Sequence, residues 1–270
     1  MEIREISADE LDFVSAVCLD PSVRSEWREI MNPYMEKRKK WLKTMMEKGL
    51  RVLVAFNKPK TAAKPVRGTD AKGLVEYVPI EFACEPVKGK CGLFINCIWV
   101  VPPFWHRGVA RALLEKCVEN AKAYGGLSVL AYEGDRWFGF FPYMPASFFK
   151  KFGFQEVDRD GSRVLLHLDL GGAEKPKLIR AKTGRTVKSS KLAVDVFCSS
   201  QCPWSGLMVE KVRQNAEKYD AVVNVINTDD WKMIERCGVS RGVCINGELA
   251  IKRMASWKEV EAAIKDAVKR

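Results

Sequence analysis

The residues whose types and spacing most clearly imply chemistry lie between Val100 and Leu114. An apolar run from Leu93 to Val101 stops at Pro102-Pro103, and a short basic turn with His106, Arg107 and Gly108 follows. Apolar residues then recur at Ala110, Leu113, Leu114, Cys117, Val118 and Ala121, the spacing of a helix with one buried face. Strand, tight turn and helix start in succession leave backbone N–H groups and the positive end of the helix dipole at one point, which suits an anion. Gly108 and Ala110 add almost no side chain, so a phosphate could approach the backbone; small residues at such a turn can also serve close packing alone.

A second candidate is Cys202, in Cys198-Ser199-Ser200-Gln201-Cys202-Pro203-Trp204-Ser205. It sits where a helix begins, and the dipole there stabilises a thiolate. Cys202 is therefore expected to be the most readily alkylated cysteine, with a pKa below the roughly 8.5 of a free thiol. Cys198 could pair with it in a disulfide, unless strand-to-turn geometry holds the sulfurs apart. No His/Cys cluster has zinc spacing, His106 and His167 being the only histidines, so no metal site is expected.

These groups need a scaffold. Strand candidates are Arg51 to Phe56, Gly73 to Pro79, Leu93 to Val101, Leu127 to Tyr132, Phe154 to Val157 and Val164 to Leu170. Helix candidates are Ala8 to Val17 and Arg28 to Met46, with the helix from Ala110 and a short one ending at Gly153, a left-handed cap. The stretch 171–191 opens Gly-Gly, carries Pro176, Gly184, Ser189 and Ser190 and shows no period, so it reads as a basic linker, or as a short hairpin through residues 182–185. After it come a strand over Leu192 to Phe197, a helix from Ser205 to Tyr219, a strand over Ala221 to Asn227 and a short helix over Asp230 to Cys237. Val243 to Asn246 and Glu248 to Lys252 flank Asn246-Gly247, a hairpin signal, and Ser256 caps a last helix. The domains expected are 1–170 and 192–270, joined by 171–191.

Composition sets bounds. No run of about 18 apolar residues occurs, so no transmembrane helix is expected. The start Met-Glu-Ile-Arg-Glu lacks an apolar signal core, and nine scattered cysteines do not form a disulfide framework, which suits the cytoplasm. The net charge of +11 is concentrated in Lys37-Arg38-Lys39-Lys40 and in 171–191. It reads first as a solvated face, second as steering for a phosphorylated cofactor, and last as a nucleic-acid surface, since basic and aromatic residues do not interleave.

The order Val-x-Pro-x-x-x-x-x-Gly-x-Ala before a helix resembles the acetyl-CoA signature of GNAT N-acetyltransferases. Pro145-Ala146-Ser147-Phe148-Phe149-Lys150-Lys151-Phe152-Gly153-Phe154 resembles that family's A-x-x-x-Tyr-x-x-x-Gly-Phe segment. The resemblance implies an α/β GNAT fold over 1–170 and acetyl-CoA as co-substrate. The phosphates would lie on Trp105, Arg107, Gly108, Val109, Ala110 and Arg111, and the pantetheine arm along Ile98 to Val100. Two departures bear on mechanism. Phe149 holds the place of the family's acid tyrosine, leaving Tyr143 or bulk water to protonate the departing thiolate. Phe94 stands near the family's glutamate base, and Glu76 and Glu81 are the nearest carboxylates, each read first as a solvated strand residue.

Residues 192–270 resemble the thioredoxin/glutaredoxin fold. Cys202-Pro203-Trp204-Ser205 matches the Cys-Pro-Tyr-Cys turn, with Ser205 in place of the resolving cysteine and Arg241 near the position of the fold's usual proline. A GNAT domain with such an appendage resembles the YoaP-like group of GNAT proteins. The function implied is N-acetylation of a small-molecule or protein amine, the appended domain serving thiol chemistry or docking. The alternative is a catalytically weak acyl-CoA-binding or thiol-sensing protein; a third reading, RNA modification, rests on charge alone.

Overall fold

The strand patterns form two main sheets, flanked by seven helices, in a computed structural model describing residues 1–57, 70–134, 143–180 and 192–269. The chain opens with β1 (Glu2–Glu5), α1 (Asp12–Cys18), α2 (Ser25–Glu47), β2 (Arg51–Phe56), β3 (Ala71–Pro79), a two-residue β4 (Val87–Lys88) and β5 (Leu93–Val100). It continues through α3 (Val109–Ala121), β6 (Gly126–Tyr132), α4 (Ala146–Lys150), β7 (Gln155–Asp160), β8 (Arg163–Asp169) and a short β9 (Lys177–Leu178). Then follow β10 (Ala193–Cys198), α5 (Pro203–Ala216), β11 (Val222–Asn227), α6 (Trp231–Cys237), β12 (Gly242–Ile245), β13 (Glu248–Ile251) and α7 (Trp257–Val268). Apart from β4 and β9, this is the order expected from the sequence. The pieces β4 and β9 pair with each other, and Leu178 is buried with its N–H on Asp158, so the start of the expected linker is packed structure. The expected hairpin at 182–185 lies outside the described residues.

The first sheet runs β1-β2-β3-β5-β6-β8-β7. Helix α3 buries Leu113, Leu114 and Cys117 on one face, while α1 and α2 bury Phe13, Val17, Met35 and Leu42 on the other. Strand β6 lies inside with every residue buried, which is why its sequence is almost unbroken apolar. The strands β5 and β6 pair in parallel only over Leu93–Ile95 and Leu127–Val129. Beyond Ile95 they diverge, and residues 143–145 enter the wedge: Tyr132 N–H donates to the Met144 carbonyl at 3.0 Å, and Ile98 N–H to Met144 Sδ at 3.4 Å.

The second sheet runs β11-β10-β12-β13, parallel only between β10 and β11. Val194, Val196, Val243 and Ile245 pack with Val209 and Val212 of α5 and with Val260 and Ile264 of α7. Asn246 and Gly247 adopt φ of 49° and 85°, which the two-residue hairpin between β12 and β13 requires. Ser256 caps α7 in a reciprocal box with Glu259.

Helices α2 and α5 join the two halves. The Tyr34 ring lies against Gly206, and Tyr34 Oη donates to Glu210 at 2.8 Å. A Cβ on Gly206 would stand 2.1 Å from Tyr34 Cγ, at the rigid base of the ring. Gly206→Ala is therefore expected to destabilise the protein by about 1–3 kcal/mol through overpacking, despite alanine's better helix propensity. Denaturant unfolding checks this, and a stabilised variant would mean that the helices separate freely.

Candidate functional site

The wedge and the start of α3 form one groove. Gly108 enters α3 with φ 78°, and no atom lies within 4 Å of where its Cβ would be. The helix geometry leaves Val109, Ala110 and Arg111 N–H without intrahelical acceptors. The groove measures about 460 Å³, and its walls include Ile98, Val100, Trp105, Gly108, Val109, Ala110 and Arg111. Arg107, the other residue expected at the anion, lies in the turn with its guanidinium 6.0 Å from the Phe104 ring and does not line the groove. Trp105 has a role of its own: Nε1 donates to the Val100 carbonyl at 2.6 Å, tying the turn to the strand end. At the wedge, Met144, Pro145 and Phe148 close the groove.

Across Trp99, which lines both spaces, lies a smaller cavity of about 40 Å³, walled by Cys18, Arg38, Cys97 and Tyr143 and by Gln201, Cys202, Pro203 and Trp204. Thus the Cys202 turn lines a cavity that shares Trp99 with the groove. Sequence reasoning had no signal for this juxtaposition, nor for Cys18 and Cys97 beside it.

A buried polar network holds the turn there. Arg38 and Glu76 form an ion pair with side chains 1% and 0% exposed. Gln201 Nε2 donates to Glu76 Oε2 at 3.1 Å, and Arg241 Nη1 donates to Gln201 Oε1 at 2.6 Å. Arg241 pairs in turn with Glu85, whose Oε2 accepts from Ser240 Oγ at 2.6 Å. Two expectations change, and Ser205 gains a role. Glu76 is an interior ion-pair partner and not a solvated strand residue, with Arg38 and Gln201 on its carboxylate. Arg38 belongs to the interior and not to a basic surface; its neighbour Lys39 is neutralised by Asp12 and Glu36. Ser205 bonds the Ser199 and Cys202 carbonyls at 2.7 and 2.6 Å, and so builds the turn.

The thiol chemistry also departs from expectation. Burial pushes the Cys202 thiol up to about 11, against the lowering effect of Arg38 and of the Trp204 and Ser205 N–H groups. Desolvation outweighs the helix terminus. Burial likewise pushes Cys97 up to about 12, and it holds the Tyr143 hydroxyl firmly protonated. Cys198 is pushed up to about 11 by burial and then by Asp229, whereas Cys202 feels Arg38 and Cys18; the structure groups Cys202 with Cys18 and Cys97. Phe149 is buried against Phe148 and Phe154, a core residue. Glu81 accepts from Cys91 N–H at 3.0 Å, away from the groove. The aromatic run at 137–141 lies outside the described residues, among which no group of His, Cys, Asp and Glu could hold a metal ion.

Two outcomes follow. Limiting iodoacetamide at neutral pH is expected to label exposed Cys91 well before Cys202, as peptide mass mapping would show. The raised pKa values of Cys84, Cys97 and Cys202 mean that the folded state holds thiol protons the unfolded chain has lost. Their contribution to stability is present in full below about pH 8.5 and is lost as pH rises towards the folded values, so unfolding free energy should fall over that window. Separately, Glu76→Ala leaves Arg38 buried without a counter-charge and should cost about 3–5 kcal/mol in denaturant unfolding.

A family model, described as acetyltransferase (GNAT) family, matches residues 26–136. A curated relative, the uncharacterized N-acetyltransferase YoaP of Bacillus subtilis, is 27% identical over 189 residues, covering 68% of each chain. Among solved structures, the PaiA N-acetyltransferase of Thermoplasma acidophilum in complex with coenzyme A aligns with 62% of this chain and 98% of its own at 18% identity and a TM-score of 0.40. The GNAT-family N-acetyltransferase YhbS of Escherichia coli in complex with CoA aligns with 66% and 88% at 16% identity and the same score.

Proposed function

We propose, from the premise that this chain carries a GNAT acetyltransferase domain, that its groove binds acetyl-CoA and that the acetyl group passes at the wedge to an amine. The observation that carries this reading is the coincidence, in one groove, of the α3 N-terminus, the small Gly108 and the diverging β5 and β6. The pyrophosphate sits on the N–H groups of the turn and first helical residues, where no side chain obstructs it. The pantetheine arm lies along Ile98 to Val100 and brings the thioester towards Cys97 and Tyr143. Ile98 N–H bonds the thioester oxygen after Met144 Sδ gives way, and so stabilises the developing oxyanion. Holding amine and thioester in one orientation supplies the rest of the acceleration. Tyr143, kept protonated, gives its proton to the departing thiolate and regains one from the proton that the amine nitrogen loses.

The second half supplies a docked, thioredoxin-like domain. That reading is supported by the element order β-α-β-α-β-β-α, by the sheet with β10 and β11 parallel, and by Cys202 at the cap of α5. Arg241, where the fold usually has proline, reaches Gln201 beside the thiol turn. Among the described residues no helix is long and apolar enough to cross a membrane.

Gly108→Glu places an anion at the phosphate site. Calorimetry should show loss of measurable CoA binding, while thermal unfolding shifts only by the roughly 1–2 kcal/mol of a non-glycine residue in the left-handed region. Unchanged affinity in the folded variant would remove this reading. Tyr143→Phe should lower kcat by about a hundredfold or more with CoA affinity retained.

A further inference from the structure

A cavity of about 520 Å³ opens between the start of α2, helix α5 and the start of α7, and it shares no wall residue with the groove at α3. Its size is that of clefts that hold small organic ligands. The floor is apolar: Leu207, Met208, Val212, Ala255 and Val260 are all buried. Two indoles, Trp27 and Trp257, stand half-buried in its walls. Three cations line it as well, Arg24, Lys211 and Lys218, and among the described residues no Asp or Glu does. We propose that this cavity binds a small organic anion with an aromatic body, the ring against the indoles and the acid group among the three cations.

The charges come first. Arg24 lays its guanidinium over the Trp27 ring, 5.3 Å from its centre. Lys211 Nζ donates to Gln214 Oε1 at 3.3 Å, and Lys218 Nζ donates to Asn215 Oδ1 at 2.9 Å, both neutral acceptors. The carboxylates near the cavity are engaged outside its wall. Glu261, whose carboxyl Lys218 helps to hold ionised, accepts from Tyr219 and pairs with Lys265. Glu259 is held by Arg253 and by the Ser256 cap. Three positive groups on one concave, partly apolar surface concentrate a field that an entering anion meets.

The aromatic walls are fixed before any ligand arrives. Trp27 packs edge-on against Trp204, with ring centres 6.0 Å apart. A rigid indole offers a planar body contact area at little cost in ordering. The helix supplies the rest by its period: Leu207, Lys211, Gln214 and Lys218 recur three and four residues apart, so α5 and the turn after it present apolar and basic groups along one stripe. Because α2 belongs to the first half of the chain and α5 and α7 to the second, occupancy stabilises the docked arrangement.

The test is a fluorescence titration of the full chain with anilinonaphthalene sulfonate, a planar aromatic body carrying one anion, with and without saturating CoA. One saturable equivalent should bind, with the same affinity in both cases. Phenylnaphthylamine, the same body without the sulfonate, should bind about tenfold or more weaker to the unaltered protein, a comparison that needs no variant to fold. Arg24→Glu and Lys211→Glu should each weaken the sulfonate about tenfold with an unchanged unfolding midpoint, whereas Lys43→Glu, exposed in the last third of α2, should not. No saturable binding, equal affinity for the neutral compound, or charge reversals at Arg24 and Lys211 without effect would overturn the site. Displacement of the probe by CoA would put it in the groove and overturn the site as well. Failure of CoA itself to bind would overturn the acetyl-CoA reading and leave this site standing.

Discussion

The guanidinium of Arg38 is buried between sheet and helix, and a charge in that position must be matched or the structure fails. Glu76 matches it, Gln201 bonds Glu76, Arg241 bonds Gln201, and Glu85 with Ser240 completes Arg241. Each link comes from a different segment: α2, β3, the turn before α5, the approach to β12, and the stretch before β4. A run of buried polar groups contributes little net stability against an apolar core, but it tolerates very few relative placements of its members. Here the placement it enforces is that of the Cys202 turn over the β5–β6 wedge.

That placement sets the chemistry on both sides of the wedge. On the groove side, backbone N–H groups at a helix start face solvent and can meet phosphate without rearrangement. On the inner side, the same principle operates at α5, but burial raises the thiol instead of lowering it. The two helix N-termini differ in burial: one is open and suited to a permanent anion, while the other is covered and disfavours one.

Much of the fold was legible because hydrophobic periodicity survives in nearly every element. The strand bounds Arg51 to Phe56, the helix from the basic turn and the Asn246-Gly247 hairpin all follow from local pattern. The burial of Arg38 was also written in the sequence: Met31, Met35, Arg38, Leu42 and Met45 are spaced three and four apart on one face of α2, and an arginine in that register must be paired. Reading the tetrapeptide Lys37-Arg38-Lys39-Lys40 as a block of charge hid the period. Cys202 misled for the opposite reason. Its local signal, a cysteine and proline at a helix start, is complete, but the sign of its pKa shift depends on which surface covers it, and no local pattern carries that. Cys18, Cys97 and Cys202 are brought together from three distant segments, so their grouping is a property of the docked structure alone.

A crystal structure of the full chain with CoA bound tests this arrangement most directly. It should place the pyrophosphate on the N–H groups from His106 to Arg111, the pantetheine along Ile98 to Val100, and the CoA sulfur at the wedge beside Met144. CoA bound elsewhere on the chain, or with its phosphates away from the start of α3, would contradict it.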